Sequence, residues 1–234
     1  MAVTVELCVS DAEGARIARQ AGCGRIELCR DLAVGGLTPP DDLVAQVARE
    51  LPDLDVQVLV RSRAGDFVYT QAEVAAMAAD IRRLRRLCPP REGALGFVAG
   101  ALTPDGRIDE AAARVFREAA GECPLTFHRA FDEVGDLMAA ARWLAGAGWD
   151  RVLTTGGDPA RADVAQLAAL QREVGDRLVI LASGGLRSHN VAEVVRATGV
   201  TEVHMRAPQP GAAGAAGATD PAEVARIVAA LAGV

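Results

Sequence analysis

Lysine is missing from this sequence: all 25 basic residues are arginine. A lysine Schiff base and a P-loop lysine are therefore excluded, and with them lysine-dependent aldolases and pyridoxal phosphate enzymes. Aromatic residues make up only 3% of the chain, the net charge is −6, and no basic run occurs. Base-stacking surfaces, nucleic acid and anionic membranes are poor partners for such a chain. No CxxC is present, so a zinc knuckle is not expected. The five cysteines, Cys8, Cys23, Cys29, Cys88 and Cys123, are odd in number and follow no secretion-like start, which argues against a disulfide framework. No apolar run reaches the length of a membrane span and no basic start leads into an apolar segment, so the expectation is a cytoplasmic, soluble protein.

Half of the 234 residues are hydrophobic, enough for a substantial core. The stretch from Arg25 to Pro40 shows the plan. It begins as an apolar strand carrying polar residues, passes through Gly35-Gly36, and ends in Thr38-Pro39-Pro40, where a helix begins. The same plan recurs. Strands are expected at 3–9, 25–29, 55–60, 94–98, 125–128, 151–153, 178–181 and 201–205. Helices are expected at 12–21, 41–50, 71–87, 108–119, 136–145, 161–173, 188–197 and 220–231, the last capped by Thr219. Eight strands alternating with eight helices in about 230 residues predict a single α/β domain over 1–234, a closed (β/α)8 TIM barrel. No GxGxxG follows the first strand, which removes the usual reason to prefer an open doubly wound sheet. The Ala/Gly-rich stretch 207–219 reads as a flexible loop after strand eight.

Barrel sites lie at the C-terminal ends of the strands. Strand one carries Glu6 and Cys8, strand two Glu27 and Cys29, and strand eight Glu202 and His204. Residues two apart share a face, so each strand presents a carboxylate with a Cys or His one step nearer the top. A carboxylate facing the outer helices would be buried and unpaired, so these residues are expected to face the axis and pair with Arg61 or His128. Such pairs read either as a structural ion-pair network or as groups with perturbed pKa values for acid–base work. Glu6, Glu27, Arg61, His128 and Asp132 are the catalytic candidates. Arg63, Thr155, Gly184, Gly185 and His204 are candidates for holding an anionic ligand, the glycines because paired backbone N–H groups after strand seven suit an anion. Cys8 and Cys29 read either as small buried hydrophobes or as a two-sulfur site for Cu(I).

Several motifs carry a resemblance. Glu6-Leu-Cys-Val9, Arg25-Ile-Glu-Leu-Cys29, Gly35-Gly-Leu-Thr-Pro39, Gly65-Asp-Phe-Val-Tyr69, Thr126-Phe-His-Arg-Ala-Phe-Asp132, Arg151-Val-Leu-Thr154 and Glu202-Val-His204 resemble the CutC copper homeostasis family, in order, from residue 3 to about 204. The resemblance implies a (β/α)8 barrel, a cytoplasmic location, a homodimer or larger homo-oligomer, and copper handling with Cu(I) on Cys8 and Cys29. The pattern departs at Ser62 and Ala64 in the loop after strand three, at Arg206, and in the Ala/Gly loop. A second reading, from the residues themselves, is an enzyme acting by acid–base chemistry on a small anionic metabolite, with Arg61 and Arg63 as the clamp and His128 with Glu6 or Glu27 moving protons.

Overall fold

Along every strand the apolar residues at alternate positions face outward, and that single rule closes the sheet. The computed structural model describes residues 3–88, 93–209 and 218–234. Its strands are β1 (Thr4–Val9), β2 (Arg25–Leu28), β3 (Asp55–Leu59), β4 (Leu95–Ala99), β5 (Leu125–Phe127), β6 (Arg151–Thr154), β7 (Val179–Ala182) and β8 (Glu202–Met205). All pair in parallel with their sequence neighbours, and β8 pairs with β1, closing the expected (β/α)8 barrel. Between and after them run α1 (Ala12–Ala21), α2 (Asp41–Glu50), α3 (Gln71–Leu87), α4 (Glu110–Ala120), α5 (Leu137–Gly146), α6 (Val164–Val174), α7 (Val191–Thr198) and α8 (Pro221–Leu231). Leu7, Val9, Ile26, Leu28, Val56, Val58, Phe97 and Phe127 belong to the main core beneath the helices. The alternate set on the same strands faces the axis, and among the described residues Cys8, Cys29, Leu59 and Val98 form a small apolar cluster there.

The helices start where short polar side chains take up their free N–H groups. Asp11, Asp109, Asp136, Asp163 and Asp220 each accept a backbone N–H of the first turn. Thr70 and Glu73 form a reciprocal capping box at α3. Five expected starts shift by one to three residues; α4 begins at Glu110 rather than 108 and α5 at Leu137 rather than 136, each after its Asp cap. Asp220, not Thr219, caps α8, because Pro221 takes the first helical position and Thr219 instead bridges to Pro208. The sixth helix begins at Val164 rather than 161, after the Asp163 cap. The seventh begins at Val191, because Asn190 folds back to accept the Arg187 N–H, and Ser188 is held by Glu223. Most of the 207–219 loop, residues 210–217, lies outside the described residues.

The floor of the barrel is ionic rather than apolar. Arg25, only 2% exposed, enters from the start of β2 and hydrogen-bonds both Glu6 and Glu202. Arg151 Nε reaches the same Glu202 oxygen at 3.0 Å. Gln57 is level with Glu27, and a Cβ on Gly96 would fall 2.2 Å from its amide oxygen, so a side chain on β4 there would displace that amide. The sequence-based pairing of the strand carboxylates with Arg61 or His128 is thus replaced by pairing with Arg25, Arg151 and His204. The reason is depth. Glu6 lies level with Arg25 in the register, whereas Arg61 and His128 come after the ends of their strands.

Removing Arg25 takes the guanidinium from Glu6 and leaves Glu202 with Arg151 alone. Arg25→Ala is expected to lower stability by about 3–5 kcal/mol, as breaking a buried ion pair from one side does. Chemical denaturation measures it, and an unchanged midpoint would refute the role given to this guanidinium.

Candidate functional site

Parallel strands in a barrel are staggered, and the stagger decides which side chains meet. Cys8 on β1 is level with Glu27 on β2, not with Cys29, while Glu6 is level with His204 on β8. His204 Nδ1 lies 2.7 Å from Glu6 Oε1, and its Nε2 is 3.8 Å from Glu27 Oε2. One ligand atom each from Cys8, Glu27 and His204 falls within 4.8 Å of the others. These three side chains line a cavity of about 480 Å³ at the C-terminal mouth, together with Arg61, His128 and Asp132. The size suits a small metabolite.

The electrostatics follow from burial and neighbours. Burial alone would raise the Glu6 carboxyl, but the Arg25 guanidinium and the His204 hydrogen bond hold it down to about 2. Burial works against a charged His204, yet the Glu6 hydrogen bond and the Glu27 charge leave its pKa above the ordinary value. Glu27 is pushed up by burial, with the Glu6 charge adding to it. The Cys8 thiol is raised well above its usual range by its contact with Cys29, by burial and by the charge of Glu27. Cys8 is therefore a thiol, not a ready nucleophile. His128 goes the other way. Burial and the nearby Arg61 charge lower it to about 3, so it stays neutral.

The candidates separate into groups. Glu27, Arg61, His128, Asp132, Cys8 and His204 line the cavity. Glu6 is fully buried beneath it and acts on His204 rather than on a ligand. Cys29 has no exposed surface. It is roofed by the loop after β2, where Gly36 stands at a φ of +89° and a Cβ there would lie 3.6 Å from the cysteine Cβ. Its Sγ still approaches Cys8 Sγ to 3.7 Å. Arg61 does not clamp from open solvent. Its Nη1 donates to the Val34 and Gly36 carbonyls and its Nη2 to Gly65. Arg63 turns outward to Glu73 and Asp66 and stacks over Tyr69. Asp132 accepts from the Thr154 hydroxyl and from the N–H groups of Thr155 and Gly157, tying the β5 loop to the β6 loop. Thr155 spends its hydroxyl on the Asp158 carbonyl.

The expected anion cradle at Gly184 and Gly185 does not line the cavity, and residues 161–162 pack against Gly184. Ala162 N–H donates to the Gly184 carbonyl, and a Cβ on Gly184 would meet Ala162 N at 2.4 Å. Arg25 is the functional residue that sequence reasoning passed over. An arginine two residues before Glu27, on the same strand face, was the available signal. Arg129 and Arg206, also at the cavity, bring further positive charge to its rim.

Comparison with known proteins places this geometry. The model of the CutC family matches residues 3–208. The chain belongs to the CutC family. A family protein CutC of Mesorhizobium japonicum is 42% identical over 204 residues, which is 87% of this chain and 77% of the relative. The human copper homeostasis protein cutC homolog is 39% identical over 204 residues, covering 87% of this chain and 72% of its own length. The solved structure of CutC from Streptococcus agalactiae superposes with a TM-score of 0.78 at 30% identity, over 86% of this chain and 97% of that one. Phosphoribosylanthranilate isomerase from Thermotoga maritima shares the fold alone, with a TM-score of 0.63 at 13% identity over 99% of this CutC-family chain and 100% of that one.

His128 carries a pH signature. Folded, it stays neutral to about pH 3, while the unfolded imidazole takes a proton near 6.5. The unfolded state binds more protons between those values, so this contribution is fully present above pH 6.5 and is lost as pH falls toward 3. His128→Gln is expected to flatten the fall in stability across that window by up to ~1.4 kcal/mol per pH unit. Denaturant curves at pH 7, 5 and 4 test it, and parallel pH dependence in both proteins would contradict the neutral imidazole.

Proposed function

We propose that the chain acts in copper homeostasis by taking Cu(I) at the barrel mouth, with Cys8 as the principal ligand, Cys29 as the second sulfur and His204 as the nitrogen. The observation that carries this reading is the meeting of Cys8, Glu27 and His204 ligand atoms within 4.8 Å at an open cavity. Thiolate and imidazole suit a soft monovalent ion, and the carboxylate of Glu27 is the weaker partner for it. Copper is the cargo here. Because Cys8 begins protonated, loading releases a proton, and affinity rises with pH. The same family membership suggests a cytoplasmic homo-oligomer, which light scattering would test. Among the described residues no helix is long and apolar enough to cross a membrane.

A second reading is favoured by the other half of the mouth. Arg61, His128 and Asp132 line the cavity, and Cu(I) has no use for them. They suit an enzyme that acts on a small anionic metabolite, with Glu27 and His204 as the acid–base pair. If His128→Ala and Arg61→Ala left cellular metabolite levels unchanged, this reading would lose its support.

An anaerobic Cu(I) competition titration separates the two. One Cu(I) per chain is expected, weakened at least ~100-fold in Cys8→Ser, as loss of a soft thiolate ligand predicts, and tighter at pH 8 than at pH 6. Equal affinity in Cys8→Ser and Cys8→Ser/Cys29→Ser variants and the native chain would return both cysteines to simple packing.

A further inference from the structure

We infer that His128 is a hydrogen-bond donor to a bound carboxylate: its neutral imidazole presents Nε2–H to a carboxylate oxygen of a small molecule in the mouth, beside the fixed positive charge of Arg61. The inference rests on the small-anion reading above and gives it a substrate class. It also replaces the expected role of His128 as a proton carrier.

The fold decides the tautomer. The Ala130 N–H donates to His128 Nδ1 at 3.3 Å, as part of the 3-10 turn Arg129–Glu133 that follows β5. Nδ1 must therefore keep its lone pair, and a neutral ring then carries its proton on Nε2. The ring is also held in place. Its Nδ1–Cε1 edge rests on Gly100, where a Cβ would come within 2.7 Å of both atoms. Phe67 lies against it with ring centroids 4.8 Å apart, and the Arg61 guanidinium sits over Phe67 at 4.9 Å. Nε2 is buried and has no partner among the described residues. A buried donor of fixed orientation, next to a cavity, without an acceptor, is what a ligand oxygen completes.

Arg61 determines the charge of that oxygen. Its Nη1 hydrogens go to the carbonyls of Val34 and Gly36 and one Nη2 hydrogen to Gly65, so the guanidinium is immobilised, while its buried Nε–H has no partner among the described residues. A fixed imidazole N–H beside an immobilised guanidinium suits a planar carboxylate. A phosphoryl group calls for a cradle of several donors, and neither Gly184 nor Gly185 lines this cavity.

The test uses the full chain without added copper, imidazole-15N NMR, and pyruvate, oxalate and succinate as carboxylate probes, with inorganic phosphate as the control. His128→Gln assigns the signal. The expected result is an Nε2–H tautomer in the free protein, a shift of that resonance on adding a carboxylate, and affinity about tenfold weaker in His128→Ala. His128→Gln, which keeps an N–H donor, recovers part of it. A proton on Nδ1 overturns the inference. So does carboxylate binding that leaves the resonance and the His128→Ala affinity unchanged, or binding of phosphate alone, and in both cases the small-anion reading survives. Binding by none of the four probes overturns both.

Discussion

The site depends on one buried guanidinium. Arg25 stands at the barrel axis, where two carboxylates of neighbouring strands converge on it. Without a cation there, Glu6 would be forced toward its neutral acid by burial. With it, Glu6 stays ionised and fixes His204 through Nδ1, which turns Nε2 toward Glu27 and Cys8. The electrostatic order thus runs upward from the floor. A structural ion pair sets the orientation of an imidazole, and the imidazole sets the character of the mouth.

The barrel was legible because its period is simple. Outward apolar residues alternate with inward polar ones, and Glu-Leu-Cys on β1 and Ile-Glu-Leu-Cys on β2 show the alternation twice. The inward placement of Glu6, Glu27 and Glu202 followed from the cost of burying them elsewhere. The partners did not follow, because stagger between parallel strands leaves no trace in either strand alone. Equal motifs on β1 and β2 offered a two-sulfur site of Cys8 and Cys29, whereas the register sets Cys8 beside Glu27 and carries Cys29 one step higher, under the Gly36 roof. Arg25 opens its strand, where an arginine ordinarily reads as a solvent-facing end. The Gly184–Gly185 turn looked like an anion cradle locally, but neither glycine lines the cavity.

The mouth has two chemically different sides. Sulfur and ionisable oxygen lie on β1, β2 and β8, with a protonated thiol and a raised carboxyl. Immobilised positive charge and a neutral imidazole follow β3 and β5. A soft cation and a small anion therefore favour opposite walls of the same cavity. The two readings of the site share His204 and Glu27, which stand between the two sides.

Arg61 has a consequence beyond its charge. By holding the carbonyls of Val34 and Gly36 on one side and Gly65 on the other, it sews the loop after β2 to the loop after β3. The first of these loops is the roof over Cys29. Access to the deeper sulfur is thus governed from the anion-facing wall, by a residue that touches neither cysteine. The stitch leaves the second thiol shuttered: its sulfur lies 3.7 Å from that of Cys8, yet Cys29 has no surface open to solvent.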